Sequence, residues 1–295
     1  MNEKLKNLLD SKEFVFLDGA MGNMLQVTAD YEGDIPEMVN IADPWSVMNI
    51  HTIYSEVGAD IVYTNTLNAN SIKLAGSGHS VEEIVKAAVE NAREGVFGDA
   101  LVALNIGSLG LSEDCFDYDT AYDMYKEIVT AGKDADIISI EYLTSLDDAK
   151  AAVLAAKENS DKPVFVSMKF EENMLTPDGI SPENVVSALE ELKVDAIGVN
   201  SSADPETLYQ IFDKICAVTS LPVIAKPNAG KPDPETGEYS MEPEEFALHC
   251  AKLTELGVKM FGGGCGTVPA HIAALAFVFE NIKYHPYNKR GSENE

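Results

Sequence analysis

Positive charge, cysteine and long apolar runs are all scarce in this chain, and each shortage excludes something. Lysine and arginine number 21 against 49 aspartates and glutamates, a formal net charge of −28. Such a surface repels nucleic acid and anionic membranes, so neither is expected as a partner. Solubility is the simplest role for the acidity, and a docking face for a basic partner is the alternative. No apolar stretch among the 295 residues is long enough to cross a bilayer. The opening segment, Met1 to Phe14, reads as a short charged amphipathic helix and lacks the apolar core of a signal peptide. The four cysteines, Cys115, Cys216, Cys250 and Cys265, are widely spaced with no CxxC pair. That spacing predicts a reduced, cytoplasmic protein without a disulfide framework. Low-complexity segments, internal sequence repeats and interdomain linkers are not found either.

What is present is a steady alternation of short apolar strands with helical segments. Strands are predicted over 14–17, 61–63, 101–106, 137–140, 164–168, 196–199, 223–225 and 260–261. Several of the intervening helices announce their starts. Asp43-Pro44, Ser181-Pro182 and Asp204-Pro205 each pair a capping side chain with a proline suited to the first turn. Pro243 and Pro269 open two more. Near-continuous apolar strands, each followed by a helix, predict an α/β fold, a parallel (β/α)8 TIM barrel. We place it as a single domain over residues 1–288, with a polar tail over 289–295.

In such a barrel the active site lies at the carboxyl ends of the strands. The residues expected there are Asp18, Thr64, Asn65, Gly107, Glu141, Tyr142, Asn200, Ser201, Asn228 and Cys265. Asp18 and Glu141 could hold a substrate ammonium group. Asn65, Asn200 and Asn228 could orient a carboxylate or a loop, although each taken alone fits a turn or cap better. The densest signal runs from Val258 to Ala270. A short strand ends, Gly262, Gly263 and Gly264 bring the backbone close to its surroundings, and Cys265 presents one thiol before Pro269 starts a helix. Lys169 and Lys226 also sit at strand ends, where a desolvated lysine can form a Schiff base. The glycine loop could alternatively hold a phosphate. His249 and His271 read as packing residues of the outer helices, and Cys115, Cys216 and Cys250 as structural thiols.

These strand ends carry a resemblance. The segments LDGAMG at Asp18, DIVYTNT ending at Thr66, IGSLG from Ile106, IEY at Glu141, GVN at Asn200, KPNAGKP from Lys226 and GGGCGT from Gly262 follow one another over nearly the whole chain. In kind and order they resemble the homocysteine S-methyltransferase family, in particular the homocysteine-binding domain of cobalamin-dependent methionine synthases. Betaine–homocysteine methyltransferase is a more distant likeness. The resemblance implies a barrel that binds homocysteine and methylates its sulfur, as in methionine biosynthesis. It implies catalytic roles for Cys265, Glu141 and Asp18. It implies substrate contacts from Asp18, Thr64, Asn65, Glu141, Tyr142, Asn200 and Asn228. It also implies a zinc ion held by three cysteines, which lowers the thiol pKa of homocysteine. At two of the three ligand positions this chain carries Ser201 and Gly264, so any metal would meet Cys265 alone. Zinc, expected from the family, is therefore expected to be absent here.

The resulting expectation is a methyltransferase acting on a small amino-acid-like or methylated substrate. The chain shows no folate- or corrinoid-binding module, so the donor or acceptor is expected to be a separate corrinoid protein carrying methylcobalamin. Transfer in the demethylating direction, with the cobalt as nucleophile, would need no zinc. The alternatives are a non-catalytic small-molecule-binding relative, or a TIM-barrel enzyme using a Schiff base or binding phosphate.

Overall fold

The computed structural model describes residues 3–29, 31, 33–111, 116–201 and 203–283. Cys115, Ser202 and the tail over 289–295 lie outside the described residues. Eight parallel strands form one sheet: β1 (Val15–Phe16), β2 (Ile61–Tyr63), β3 (Leu101–Ile106), β4 (Ile137–Leu143), β5 (Val164–Lys169), β6 (Ala196–Asn200), β7 (Val223–Ala225) and β8 (Met260–Phe261). The sheet runs β1-β8-β7-β6-β5-β4-β3-β2. Its two edges meet through a parallel bridge between Leu17 and Ile61, with the Asp18 N–H donating to the Ile61 carbonyl at 3.1 Å. The sheet is thus a (β/α)8 barrel, as the alternation predicts.

Among the described residues are eleven α-helices: α1 (Glu3–Ser11), α2 (Met21–Thr28), α3 (Val39–Ala42), α4 (Pro44–Glu56), α5 (Val81–Gly95), α6 (Tyr118–Ala131), α7 (Leu146–Asn159), α8 (Pro182–Glu191), α9 (Pro205–Val218), α10 (Pro243–Lys252) and α11 (Pro269–Lys283). Helices α4 to α11 each follow one strand and form the outer ring. The predicted caps are made. Asp43, Ser181 and Asp204 accept backbone N–H bonds from the first turns of α4, α8 and α9. Each cap satisfies at least one of the donors a helix start otherwise leaves unpaired, and Asp204 satisfies two. No helix among the described residues is long and apolar enough to cross a membrane.

The amphipathic α1 plugs the amino end of the barrel. Leu5 and Leu9 pack with the inward side chains Val15, Leu17, Ile61, Phe165 and Met260. Lys259 donates to the Leu9 carbonyl at 2.6 Å, and Lys4 pairs with Asp136 at 3.0 Å. With this end closed, the other end is left for chemistry. Strand β4 departs from the sequence reading. It continues past Ile140, its register with β5 shifts between Ile140 and Leu143, and Tyr142 adopts φ 56°. A left-handed non-glycine residue inside a strand is a local distortion, and it lies at the site.

Candidate active site

Asp18 leaves β1 at the seam where the barrel closes. Its Oδ2 accepts the Tyr63 N–H at 2.7 Å, while its Oδ1 is buried with no hydrogen-bond partner. Glu141 on β4 and Lys226 after β7 are buried beside it. Lys226 Nζ stands 3.1 Å from Glu141 Oε1 and 3.7 Å from Asp18 Oδ1. The first is a close ion pair; the second is too long for a hydrogen bond. The same ammonium lies 3.6 Å above the centre of the Tyr63 ring, a cation–π contact. Asn200 supports Glu141 from below, its Nδ2 donating to Oε1 at 3.4 Å. Burial pushes the Asp18 carboxyl up to about 7, even though the Lys226 charge and the Tyr63 N–H oppose the shift.

The sequence suggested that Asp18 and Glu141 would together meet a substrate ammonium. The structure puts an internal ammonium on Glu141 first. Lys226 is thereby held between two carboxylates, an arrangement that does not favour the Schiff-base alternative. Lys169 lines a separate cavity with Phe170, Glu172 and Ser201.

Cys265 is held from the backbone side. Its N–H donates to Asn228 Oδ1 at 2.9 Å, and the Tyr142 hydroxyl donates to the same oxygen at 3.1 Å. That hydroxyl also lies 3.6 Å from Cys265 Sγ. Burial, and then the neighbouring Cys265 and Glu141, push the Tyr142 phenol far above its ordinary range. Gly264 makes this arrangement possible. A Cβ there would lie 2.3 Å from Asn228 Oδ1 and 2.8 Å from Tyr142 Oη. The turn itself is set one residue after the thiol, at Gly266 with φ 81°. Ser201 is committed elsewhere: its hydroxyl donates to the Phe170 carbonyl at 2.7 Å and accepts the Ala203 N–H at 3.0 Å.

Asp18, Thr64, Asn65, Glu141, Tyr142, Lys226, Gly264 and Cys265 line one cleft of about 180 Å³. Asn200 and Asn228 brace its wall from behind. Asn228 also faces an apolar cavity between α9 and α10, lined by Leu208, Met241 and Phe246. Thr64 accepts the Asn105 N–H at 3.0 Å, and Asn65 Nδ2 donates to the Pro36 carbonyl at 2.8 Å. These two residues tie the strand ends and the β1–α4 connection together.

Two features escaped the sequence reading. Ala20, the N-cap of α2, makes no side-chain cap, so the first turn of that helix opens on the cleft uncapped. Glu37 also lines the cleft: its Oε1 accepts two bonds from Asn68, at 2.8 and 3.2 Å, while its buried Oε2 has no partner. A glutamate directly after Pro36 looks like an ordinary first-turn residue, so nothing in the sequence marks it.

His271 is a packing residue, as expected, its ring bonded to the Val268 N–H and the Met241 carbonyl. His249 pairs with Glu245 on α10. Cys250 is buried, and burial raises the Cys216 thiol to about 11.

The family model for homocysteine S-methyltransferase matches residues 15–279. The chain belongs to the homocysteine S-methyltransferase family. A methionine synthase of Mycobacterium tuberculosis is 30% identical over 309 residues, covering 94% of this chain and 26% of that protein. One from Mycobacterium leprae is 29% identical, covering 88% of this chain and 24% of its own length. The chain thus spans about a quarter of the length of these curated relatives. The homocysteine methyltransferase MmuM from Escherichia coli, in its metallated form, matches with a TM-score of 0.82 at 22% identity, over 94% of this chain and 100% of that one. Identity that low speaks for the fold alone.

The family's zinc does not fit the side chains present. Gly264 offers no ligand, and the space a side chain would need there is filled by Asn228 and Tyr142. Ser201 Oγ is bonded to backbone on both sides. Among the described residues no group of three or more His, Cys, Asp or Glu side chains could hold a metal ion.

Proposed function

We propose that this chain is a methyltransferase that seats a small amino-acid-like or methylated substrate in the cleft. It moves a methyl group between that substrate and a separate donor or acceptor, a corrinoid protein. The observation that carries the reading is Asp18. Its Oδ1, which accepts no hydrogen bond and has only the Lys226 ammonium 3.7 Å away, lines the cleft together with the uncapped start of α2. The first is an acceptor for an ammonium group, and backbone N–H groups at a helix start suit a carboxylate. An amino acid carries both groups. The methionine synthase relatives and the family's homocysteine chemistry support the same substrate class.

In this reading Asp18 binds the ammonium. Lys226 neutralises Glu141 and fixes its position, so Glu141 shapes the field of the cleft. Thr64 and Asn65 hold the β2 end in place, and Asn200 and Asn228 set Glu141 and the Cys265 loop. Cys265 and Tyr142 place a thiol and a phenol on the cleft wall, where the reacting atom of the substrate would lie. The barrel contributes orientation, holding acceptor and donor in line. No step is assigned to zinc, because the residues at the family's ligand positions do not supply its donors.

The test is methyl transfer with L-homocysteine and methylcobalamin, followed by methionine formation, and the reverse reaction from methylated sulfur amino acids. Transfer that falls at least about tenfold in Asp18→Asn, the scale of one charged hydrogen bond, supports the reading. Binding of sulfur amino acids without transfer in either direction would assign the chain to the non-catalytic alternative.

A further inference from the structure

We propose that the outer face built by α4 and α11 is a self-association surface, on which a second copy of this chain docks about a two-fold axis. This surface lies on the outer wall of the barrel, and its role does not depend on the substrate seated in the cleft. Charge is spread unevenly over the helical ring. Each of α5 to α10 carries at least three charged side chains, with acids in the majority overall. Helix α4 carries one, Glu56, in thirteen residues. Helix α11 has only Glu280 and Lys283, both in its last turn. The two helices are neighbours: a Cβ at Gly58, two residues past the end of α4, would lie 3.5 Å from Ala276 Cβ on α11.

The same face gathers exposed apolar side chains. Val27, Trp45, Phe97 and Phe277 are the four most exposed large apolar residues among those described, between 64% and 79% exposed. Trp45 stands in the first turn of α4, and Phe277 on α11 follows Ala276. Val27 on α2 is brought to α4 by Ser46 Oγ, which donates to the Thr28 carbonyl at 3.2 Å. Phe97 is brought to the far end of α4, its N–H donating to Ser55 Oγ at 2.8 Å. Partly exposed Asn49 and Ile53 continue the uncharged surface between those ends.

One exposed apolar side chain is ordinary, but four gathered around one pair of helices mark a surface that is covered in use. The charge says by what. At −28 the chain repels its own copies over most of its surface, so two copies approach closely only where acid is scarce. A basic partner would be drawn to the acidic helices instead and would lose its attraction on this face. Two-fold pairing sets the same patch on both sides, so each copy covers the apolar residues of the other.

The experiment is sedimentation velocity on the full chain over a dilution series, with tryptophan emission read on the same samples. Trp45 is the single tryptophan, so the emission reports this face alone. A particle of twice the 31.9 kDa chain mass is expected at micromolar concentration and above. Emission should move to the red on dilution, with the same midpoint as the mass. Added salt should tighten the dimer, because it screens the repulsion between copies; a surface joined by ion pairs would loosen. Trp45→Glu and Phe277→Glu each set an acid in the face and should weaken the dimer by about a hundredfold or more. Leu248→Glu, at an exposed site on α10, should leave it unchanged. Substitutions at such exposed positions leave folding intact, which urea midpoints check, and the emission series needs no variant. A monomer up to roughly 100 µM, well above the micromolar end of standard-sized interfaces, would overturn the proposal. So would a dimer that both acidic variants leave unweakened, or one whose dissociation does not move the emission.

Discussion

Lys226 Nζ lies 3.1 Å from Glu141 Oε1 with both side chains buried, so an ion pair joins the ends of β7 and β4 inside the barrel mouth. Burying two charges is unfavourable unless each is matched, and removing one partner leaves the other uncompensated. Lys226→Met and Glu141→Gln are each expected to lower unfolding stability by about 3–5 kcal/mol. The double variant should lose clearly less than the sum, because no stranded charge remains at the pair. Urea denaturation of the four proteins measures the coupling, and strictly additive losses would show that the pair is not a unit.

Asp18 titrates in the working range. Its carboxyl is raised to about 7, first by burial. A bound ammonium favours the charged form, so binding should release a proton below about pH 7. The affinity of an amino-acid ligand should then fall up to about tenfold for each pH unit below 7. Calorimetry in buffers of different ionisation enthalpy reads the proton release directly. Asp18→Asn should bind weakly and lose the pH dependence. For folding the sign is the reverse of the usual carboxylate. A raised folded value contributes stability that is fully present below 3.8 and is lost as pH rises through about 7.

His51 on α4 is fully buried, neither ring nitrogen has a partner, and burial lowers its pKa to about 4. The unfolded chain protonates this ring near 6.5, before the folded one does. The depressed folded value contributes stability that is present above 6.5 and lost as pH falls through about 4, about 3 kcal/mol over the window at roughly 1.4 kcal/mol per unit. Denaturant midpoints measured from pH 7.5 to 4 should show this slope. His51→Leu should flatten it and leave stability at pH 7.5 unchanged or higher.

The mouth of the barrel is expected to hold no stoichiometric zinc after purification, as read by elemental analysis. Restoring thiols at Ser201 and Gly264 should not suffice. The backbone at Gly264 is not left-handed, so no dihedral strain opposes a side chain there; the obstacles are Asn228 Oδ1 at 2.3 Å and Tyr142 Oη at 2.8 Å from the new Cβ. Ser201→Cys with Gly264→Cys should therefore gain little zinc affinity, and adding Asn228→Ala together with Tyr142→Phe, which clears both obstacles, should raise it by about a hundredfold, on the scale of one completed ligand set. One zinc per unmodified chain, lost in Cys265→Ala, would contradict this expectation.

The sequence by itself determined the barrel and the place of most of the cleft. Strands of a parallel barrel are buried on both faces, so they read as short apolar runs, and the polar and glycine residues ending them mark the site. Asp18, Glu141, Tyr142 and Cys265 could be found that way; that Ser201 and Gly264 stand at zinc-ligand positions is what the family resemblance implies. Pairing inside the mouth could not. Lys226 and Glu141 are 85 residues apart, and whether they touch depends on how the strands close into a barrel. Until then Lys226 was a candidate amine and Glu141 a candidate substrate anchor. Glu37 was invisible for a related reason: its place in the cleft follows from Asn68 fixing one oxygen and burial isolating the other. The turned Tyr142, whose hydroxyl shares Asn228 with the Cys265 backbone, arises from the register shift in β4. Local patterns encode which residues reach the end of a strand. Which of them neutralise one another, and which remain unpaired for a ligand, is decided only when closure removes water and sets the distances between them.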